Sequence, residues 1–130
     1  MRIFRVTGAV LWLIAAFIFA GAASASAEDY DFRFHAYPSP FVPGYETATF
    51  FYAIPADGTA SIDVYNFQGK RVRTIIANAG RPLGIYDGDD TWDGRDDDGE
   101  VVLPGPYIVV LEVTINGASY RDTFVTVVNR

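Results

Sequence analysis

Apolar and polar residues alternate with a period of two through most of the chain after residue 30. In the segment 30–36, Tyr30, Phe32 and Phe34 alternate with Asp31, Arg33 and His35. β-branched and aromatic residues, which favour pleated strands, fill most of the apolar positions. The pattern predicts short β-strands with one buried face, and no window has the sustained period of a helix. The alternation recurs in the segments 47–54, 61–65, 71–77, 107–115 and 124–128.

Glycine, proline, asparagine and aspartate mark turns between these segments. The pairs Pro43-Gly44, Asp93-Gly94 and Asp98-Gly99 are ordinary turn sequences. Asn116-Gly117 is the strongest hairpin signal, because both residues tolerate the positive φ that a two-residue turn requires. About seven short strands in roughly 100 residues predict a single antiparallel β-sandwich.

The first 27 residues have the organisation of a secretory signal peptide. Arg2 and Arg5 precede an apolar run, and Ala25-Ser26-Ala27 forms a small-residue cleavage site. A retained membrane anchor is the alternative, because the 22 uncharged residues 6–27 are long enough to span a bilayer. The Gly, Ala and Ser of its last third fit cleavage better. We therefore expect a signal peptide at 1–27, one domain at 28–130, and export to the periplasm, cell surface or medium.

Composition and charge exclude several classes of function. The sequence has no Cys and a single His, so it offers no disulfide, no Cys nucleophile, no lipid-bearing Cys and no site with two His. The net charge is −6, and loss of Arg2 and Arg5 with the signal peptide leaves 8 − 16 = −8. An acidic protein lacks the clustered Lys and Arg that nucleic acid or an anionic membrane requires. We expect neither partner, and no stable membrane insertion after cleavage.

Five segments carry a resemblance to a known family. They are Pro-Ser-Pro-Phe-Val-Pro at 38–43, Tyr-Ala-Ile-Pro at 52–55, the strand-turn-strand 62–73, Trp-Asp-Gly-Arg-Asp-Asp-Asp-Gly at 92–99, and Pro-Gly-Pro-Tyr at 104–107. From Tyr37 onward the chain resembles the immunoglobulin-like domain of the bacterial flagellar hook-capping protein family. It is equally similar to related C-terminal modules of secreted bacterial proteins, including type IX secretion cargo.

The resemblance implies an immunoglobulin-like or fibronectin-III-like β-sandwich in which residues near Trp92 form a strand and a hairpin. The family has no catalytic residues to transfer to this chain. The last ten residues lack the Lys-rich finish associated with the type IX sorting tag. The resemblance therefore favours a structural or assembly subunit over a sorting tag, although such a fold supports many functions.

An acidic segment between Asp87 and Glu100 holds eight of the sixteen acidic residues, with only Arg95 opposing them inside the segment. Counted from Asp89 as position one, several carboxylates fall at the ligand spacings of an EF-hand loop, and Gly94 falls at its turn position. The flanking residues contain Gly and Pro and do not predict helices, so solvated turns are the alternative. The candidate calcium ligands are Asp89, Asp93, Asp97 and Glu100; no other cofactor is expected.

Other residues are candidates for structural roles. Trp92 is a core residue in this interpretation, because a sandwich needs a large apolar side chain and no other Trp remains after cleavage. Tyr107 is expected to pack at a strand start and to hydrogen-bond locally. Turn roles are expected for Gly94, Gly99, Asn116 and Gly117.

A catalytic role is not expected. The sole histidine, His35, lies among aromatic residues of the first predicted strand, and a sandwich of this size has no chain left for a walled substrate cleft. The main hypothesis is an exported non-catalytic subunit that binds other protein subunits, by edge-strand pairing through the segments 30–36 and 124–128. The alternative is a secreted carbohydrate- or protein-binding module, since Phe51 and Tyr65 alternate onto the face opposite the core.

Overall fold

The alternating segments form antiparallel strands. The computed structural model describes residues 30–130, so the predicted signal peptide lies outside the described residues. All the strands belong to one compact unit, Phe32–Arg130. Within residues 30–130 there is no helix long and apolar enough to cross a membrane. The strands are β1 (His35–Tyr37), β2 (Ala48–Ile54), β3 (Gly58–Tyr65), β4 (Arg71–Arg81), β5 (Gly84–Trp92), β6 (Gly105–Ile115) and β7 (Ala118–Val128).

The seven strands form two sheets, here called sheet A, with the order β1-β2-β5, and sheet B, with the order β4-β3-β6-β7. Every strand pair is antiparallel. The predicted antiparallel β-sandwich of about seven strands is therefore confirmed. The fourth strand pairs with β3 in the larger sheet, whereas constant-type immunoglobulin domains keep it beside the fifth strand. This order is that of the fibronectin-III-like variant.

Strand β5 is the element that alternation alone does not predict. Its residues are mostly exposed, and only Asp90 and Trp92 are buried. Because one of these two core-facing residues is charged, the apolar period is hidden in the sequence. The strand forms through its backbone pairing with β2, in which Trp92 lies opposite Ala48.

The N-terminal segment is buried as its alternation predicts, but its regular strand is short. Phe32, Phe34 and Ala36 are buried in turn. The Phe32 carbonyl accepts the Ala53 N–H at 2.8 Å, so pairing with β2 extends beyond β1. Arg33 has a positive φ of 55°, which breaks the extended backbone and leaves only His35–Tyr37 as regular strand.

The core lies between the sheets and is centred on aromatic residues. Trp92 is fully buried and makes edge-to-face contacts with Phe41 and Tyr107, at ring-centroid distances of 5.6 and 5.5 Å. Both sheets contribute aliphatic and aromatic side chains around this group. The fully buried ones include Phe50, Tyr52, Ile54, Ile62, Val64, Val109, Leu111 and Val113.

The segment that follows β1 closes one side of the sandwich. The Phe41 N–H donates to the Val127 carbonyl at 3.0 Å, and the Phe41 carbonyl accepts from Asn129 at 2.8 Å. The end of β7 is therefore covered by the chain's own N-terminal half. On the opposite side of the sandwich, β4 of sheet B and β5 of sheet A face each other, and hydrogen bonds between their side chains connect them.

Candidate functional site

The acidic segment is docked against strand β4. The Asp93 carboxylate accepts hydrogen bonds from Arg73 Nη1 at 3.2 Å and from the Arg95 N–H at 3.0 Å. Arg73 Nη1 also donates to the Arg95 carbonyl at 2.9 Å. The sequence shows only Arg95 within the segment, whereas the fold supplies Arg73 as a second opposing charge from another strand.

Asp97 is hydrogen-bonded to the outer edge of β4 through one backbone group and one side-chain group. Its N–H donates to the Val72 carbonyl at 2.9 Å, and its carboxylate accepts the Thr74 N–H at 3.1 Å. Arg73 Nε lies 3.9 Å from the same carboxylate. An open strand edge invites pairing with other chains, and a residue that satisfies its backbone groups prevents this. Asp97 therefore covers the start of the β4 edge.

The four candidate calcium ligands occupy different places. Asp89 is exposed on β5, Asp93 and Asp97 contact β4 as described, and Glu100 is exposed, with its N–H bonded to Asp96 Oδ1 at 2.9 Å. In the part of the chain that the structure describes, no three His, Asp or Glu side chains form a group that could hold a metal ion. Calcium binding by the segment stays a prediction.

A buried polar triad connects the two sheets. The Tyr52 hydroxyl donates to Asp90 Oδ2 at 2.5 Å and accepts from Arg81 Nε at 2.8 Å. Arg81 Nη2 reaches both oxygens of Asp90, at 3.1 and 3.3 Å. The ring of Tyr86 stacks on Tyr52 and lies under the Arg81 guanidinium, 5.4 Å from the ring centroid. The triad therefore satisfies the one buried carboxylate among residues 30–130.

The triad changes the acidity of its members. Burial, reinforced by the hydrogen bond to Asp90, raises the pKa of the Tyr52 hydroxyl far above its usual range. The hydrogen bond to Tyr52 raises the pKa of the Arg81 guanidinium. Sequence reasoning missed this site, although one signal was available. Asp90 lies two residues before the core residue Trp92 and therefore on the same strand face, where a carboxylate needs a partner.

Four of the six residues expected to have structural roles, Trp92, Gly94, Gly99 and Tyr107, lie in or beside the acidic segment. The indole N–H of Trp92 donates to the Arg95 carbonyl at 2.8 Å. The Tyr107 hydroxyl donates to the Leu103 carbonyl at 2.6 Å, and burial raises the pKa of Tyr107. The φ angles of Gly94 and Gly99 are 84° and 85°. In the β6–β7 turn, the φ angles of Asn116 and Gly117 are 52° and 81°.

The outer face of sheet A carries an aromatic cluster. The ring of His35 stacks on Phe51 at 4.9 Å, and the Arg33 guanidinium lies 5.8 Å from the Phe51 ring centroid. Tyr37 reaches across the sheet and donates a hydrogen bond to Asp87 on β5, which raises the pKa of the Tyr37 hydroxyl. Phe51 faces outward, as alternation predicts.

The outer face of sheet B carries a row of apolar residues. Tyr65, Ile108 and Val125 lie directly opposite one another on β3, β6 and β7. Pro106 and Val127 form the next pair, towards the end of the sandwich. Tyr65 thus also faces outward, on the other sheet from Phe51.

An open cleft of about 330 Å³ lies where the β1–β2 connection meets the acidic segment. Four residues of the β1–β2 connection and two residues of the acidic segment line this cleft. The lining residues are Gly44, Tyr45, Glu46, Thr47, Asp93 and Arg95.

Comparisons with known proteins show the fold. No family model and no curated protein matches the chain. Among solved structures, FlgD of P. aeruginosa, a flagellar hook-capping protein, superposes with a TM-score of 0.51 and 23% identity over 63% of this chain and 59% of that one. PorZ, a surface component of the type IX secretion system of Porphyromonas gingivalis, has a TM-score of 0.47 and 19% identity over 75% of this chain and 11% of that one.

The FlgD structure confirms the resemblance that the sequence motifs indicate, as a likeness of fold. The chain matches 59% of the FlgD chain and a much smaller part of PorZ. The likeness therefore supports the architecture, and the function must be argued from the surfaces of this molecule.

Proposed function

We propose that the protein is an exported, non-catalytic module that binds other protein subunits in a bacterial extracytoplasmic assembly. The observation that carries the proposal is the set of large apolar side chains that stay exposed outside the buried core. Exposed apolar groups gathered on a folded domain are typical of protein interfaces. Those exposed among residues 30–130 are Tyr37, Tyr45, Phe67, Leu83, Ile85, Val101, Leu103, Val125 and Val127.

A non-catalytic role is supported by what the chemically versatile groups contact. His35, the sole histidine, stacks on Phe51 at the surface, and its Nδ1 lies 2.9 Å from the Arg33 carbonyl. The buried carboxylate of Asp90 is bonded by Tyr52 and Arg81. His35 thus contacts neighbouring side chains on the surface of sheet A, whereas Asp90 takes part in contacts that join the two sheets. The fold likeness to FlgD, a flagellar hook-capping protein, is consistent with an assembly role.

Edge-strand pairing with neighbouring subunits belongs to the same proposal. Two observations bear on it. Phe32 and Phe34 of the N-terminal segment complete the core of this sandwich, and the end of β7 is hydrogen-bonded to Phe41. A partner strand at the end of β7 would have to displace Phe41. Contact through exposed side chains is therefore the more direct route to assembly.

The test is the native size of the protein in its own cells, measured by gel filtration of gently extracted material. We expect the protein in an assembly well above the mass of one chain, with partner chains identified by mass spectrometry. The N-terminus of the recovered protein should begin after residue 27 if the signal peptide is removed. Recovery only as a free monomer would refute the assembly role.

Carbohydrate binding is the second candidate, and the aromatic cluster on sheet A favours it. Aromatic rings stack on the apolar faces of sugars, and a neighbouring carboxylate can accept hydrogen bonds from hydroxyl groups. Tyr37, His35 and Asp87 supply such groups on one face. A glycan array with the protein and its His35→Ala variant tests this idea. Absence of binding by the unmodified protein would end it.

A further inference from the structure

Four large apolar side chains project from turns at one end of the sandwich. Their exposed fractions are 89% for Tyr45, 58% for Phe67, 47% for Val101 and 76% for Leu103. Exposed apolar side chains that gather in one region of a protein are typical of interaction sites. Together with the exposed carboxylates of Asp97, Asp98 and Glu100, these four side chains are called the loop-end surface below.

The turns that carry these side chains are connected to one another. Pro43, in the turn that holds Tyr45, lies close to Gly94 of the acidic segment. A Cβ atom added at Gly94 would be 2.5 Å from the Pro43 side chain. The acidic segment in turn bonds the start of β4 through Asp97 and Val72, and β4 follows directly after the turn that holds Phe67. Val101 and Leu103 follow the acidic segment directly, and the Val102 N–H between them donates to the Gly94 carbonyl at 2.9 Å. The four apolar side chains therefore belong to a single end of the molecule.

Phe67 is held at the tip of a closed turn. The side-chain oxygen of Asn66 accepts the N–H groups of Gln68 and Lys70, at 3.0 and 2.9 Å. The Asn66 N–H donates to the Lys70 carbonyl, and Gly69 donates to the Asn66 carbonyl. The backbone around Phe67 is thus fixed before any partner arrives.

The other turns are fixed in the same way. Tyr45 and Glu46 both donate N–H groups to the Val42 carbonyl, while Glu46 Oε1 accepts the Val42 N–H at 2.9 Å. The Leu103 carbonyl accepts the Tyr107 hydroxyl at 2.6 Å. Because these turns are already ordered, a partner that binds them loses little conformational entropy. Side chains held in this way are suited to contribute strongly to an interface.

The charge of the surface indicates the kind of partner. The exposed residues Asp97, Asp98 and Glu100 directly precede Val101 in the chain, whereas exposed Lys70 and Arg71 follow Phe67, and the whole chain carries a net charge of −6. Two copies that each carry this net charge repel one another, which opposes self-association and favours a partner of opposite charge. A surface with Lys or Arg around apolar pockets would complement both features.

We propose that the loop-end surface is the docking site for a different protein subunit, which offers apolar pockets to Phe67 and Leu103 and basic residues to the carboxylates. This inference rests on the assembly role proposed above and specifies its surface and partner chemistry. Sheet B's apolar row is the competing surface. That row lies flat on a sheet, whereas the loop-end side chains protrude from rigid turns and suit insertion into pockets.

The test compares the unmodified full chain with four variants, all expressed in the native cells. Phe67→Ala with Leu103→Ala removes the two apolar anchors, and both sites are exposed, so folding should be unaffected. Val125→Thr alters the apolar row of sheet B, and Leu83→Ala alters an exposed residue beyond the far end of β4. Thermal unfolding of each purified variant checks that the fold is intact. The readouts are native size and, once mass spectrometry has identified the partner, affinity for that purified partner.

We expect the double variant to run as a free monomer and to lose about tenfold or more in affinity, while the other variants assemble normally. Glu100→Gln with Asp98→Asn should weaken binding less, and mainly at low salt. An assembled double variant, or loss of assembly in Val125→Thr, would overturn this inference and leave the assembly role standing. An unmodified protein that is always monomeric would refute both the assembly role and this inference. An unmodified protein that forms only a dimer with itself would refute this inference alone.

Discussion

Arg81 and Asp90 join the two sheets of the sandwich at its β4–β5 side. Nη2 of Arg81, the last residue of β4, lies 3.1 Å from Oδ1 of Asp90, which faces the core from β5. The Asp90 side chain is 5% exposed and that of Arg81 18%. An ion pair this buried does not by itself imply net stabilisation, but removal of one partner leaves the other uncompensated.

Asp90→Asn should therefore destabilise the protein by roughly 3 kcal/mol, the lower end of the range for a broken buried pair. The matched control is Asp89→Asn, one residue away on the exposed face of the same strand. It should change the free energy of unfolding by less than about 0.5 kcal/mol. Urea unfolding measures both values, and equal effects would contradict a structural role for the triad.

Tyr52 should make the protein sensitive to alkaline pH. Its pKa is raised in the folded state, mainly by burial, so the folded protein holds this proton more tightly than the unfolded chain. The stabilisation is complete below the unfolded pKa of about 10 and is lost as pH rises above it.

Tyr52→Phe should flatten this loss of stability between about pH 10 and 12, although Tyr37 and Tyr107, whose pKa values are also raised, keep part of it. Tyr65→Phe, on the outer face of sheet B, is the control. Urea unfolding at a series of pH values is the measurement. An unchanged slope in Tyr52→Phe would show that the hydroxyl does not control alkaline stability.

Asp97 should protect the edge of β4. Asp97→Ala removes the acceptor of the Thr74 N–H, and a lost hydrogen bond of this kind costs about 1 kcal/mol. The Thr74 amide should then exchange with solvent several-fold faster, as followed by NMR hydrogen exchange. Asp98→Ala, at the exposed neighbouring residue, should leave that rate unchanged. If both variants exchange alike, Asp97 does not cover the edge.

The N-terminal segment should be an integral part of the core. Phe34 is buried and its ring contacts Phe50 and Tyr52 at centroid distances of 6.1 and 6.4 Å. Phe34→Ala should cost about 3–5 kcal/mol, while His35→Ala on the outer face should cost far less. Deletion of residues 28–36 should unfold the domain. A folded deletion variant would instead identify the segment as one that can leave the sandwich.

Gly94 and Gly99 should differ in their tolerance of alanine although their φ values are nearly equal. A Cβ at Gly94 would lie 2.5 Å from Pro43 Cγ, whereas at Gly99 nothing lies within 4 Å. Gly99→Ala pays only the backbone cost of positive φ, about 1–2 kcal/mol. Gly94→Ala adds a steric clash and should cost clearly more. Thermal unfolding distinguishes them, and equal values would disprove the close approach.

Calcium binding by Asp89, Asp93, Asp97 and Glu100 has its own test. Asp93 and Asp97 are bonded to Arg73 and to the β4 backbone, so a bound ion would have to compete with these partners. Isothermal titration with calcium should release heat if the hypothesis holds. Absence of heat at millimolar metal would reject it.

Much of the fold was predictable because burial in a sandwich imposes a period of two. The alternation of Phe32, Phe34 and Ala36 and of Tyr107, Val109 and Leu111 matches their burial. The outward positions of Phe51 and Tyr65 follow from the same period. Strand β5 was not predictable in this way, since its inward face presents the Asp90 carboxylate and its exposed residues include Gly88 and several aspartates.

The sequence by itself determined the fold class, because alternation and turn residues are local properties that each segment carries alone. Only the tertiary structure decided which charges meet. Arg73 pairs with Asp93 across 20 residues, and Tyr52 bonds Asp90 across 38. The same is true of the loop-end surface, whose apolar residues come from separate turns. Such groupings depend on strand order and on the contact between sheets, which no local pattern contains, so the partners of polar and exposed residues emerge only when the chain is folded.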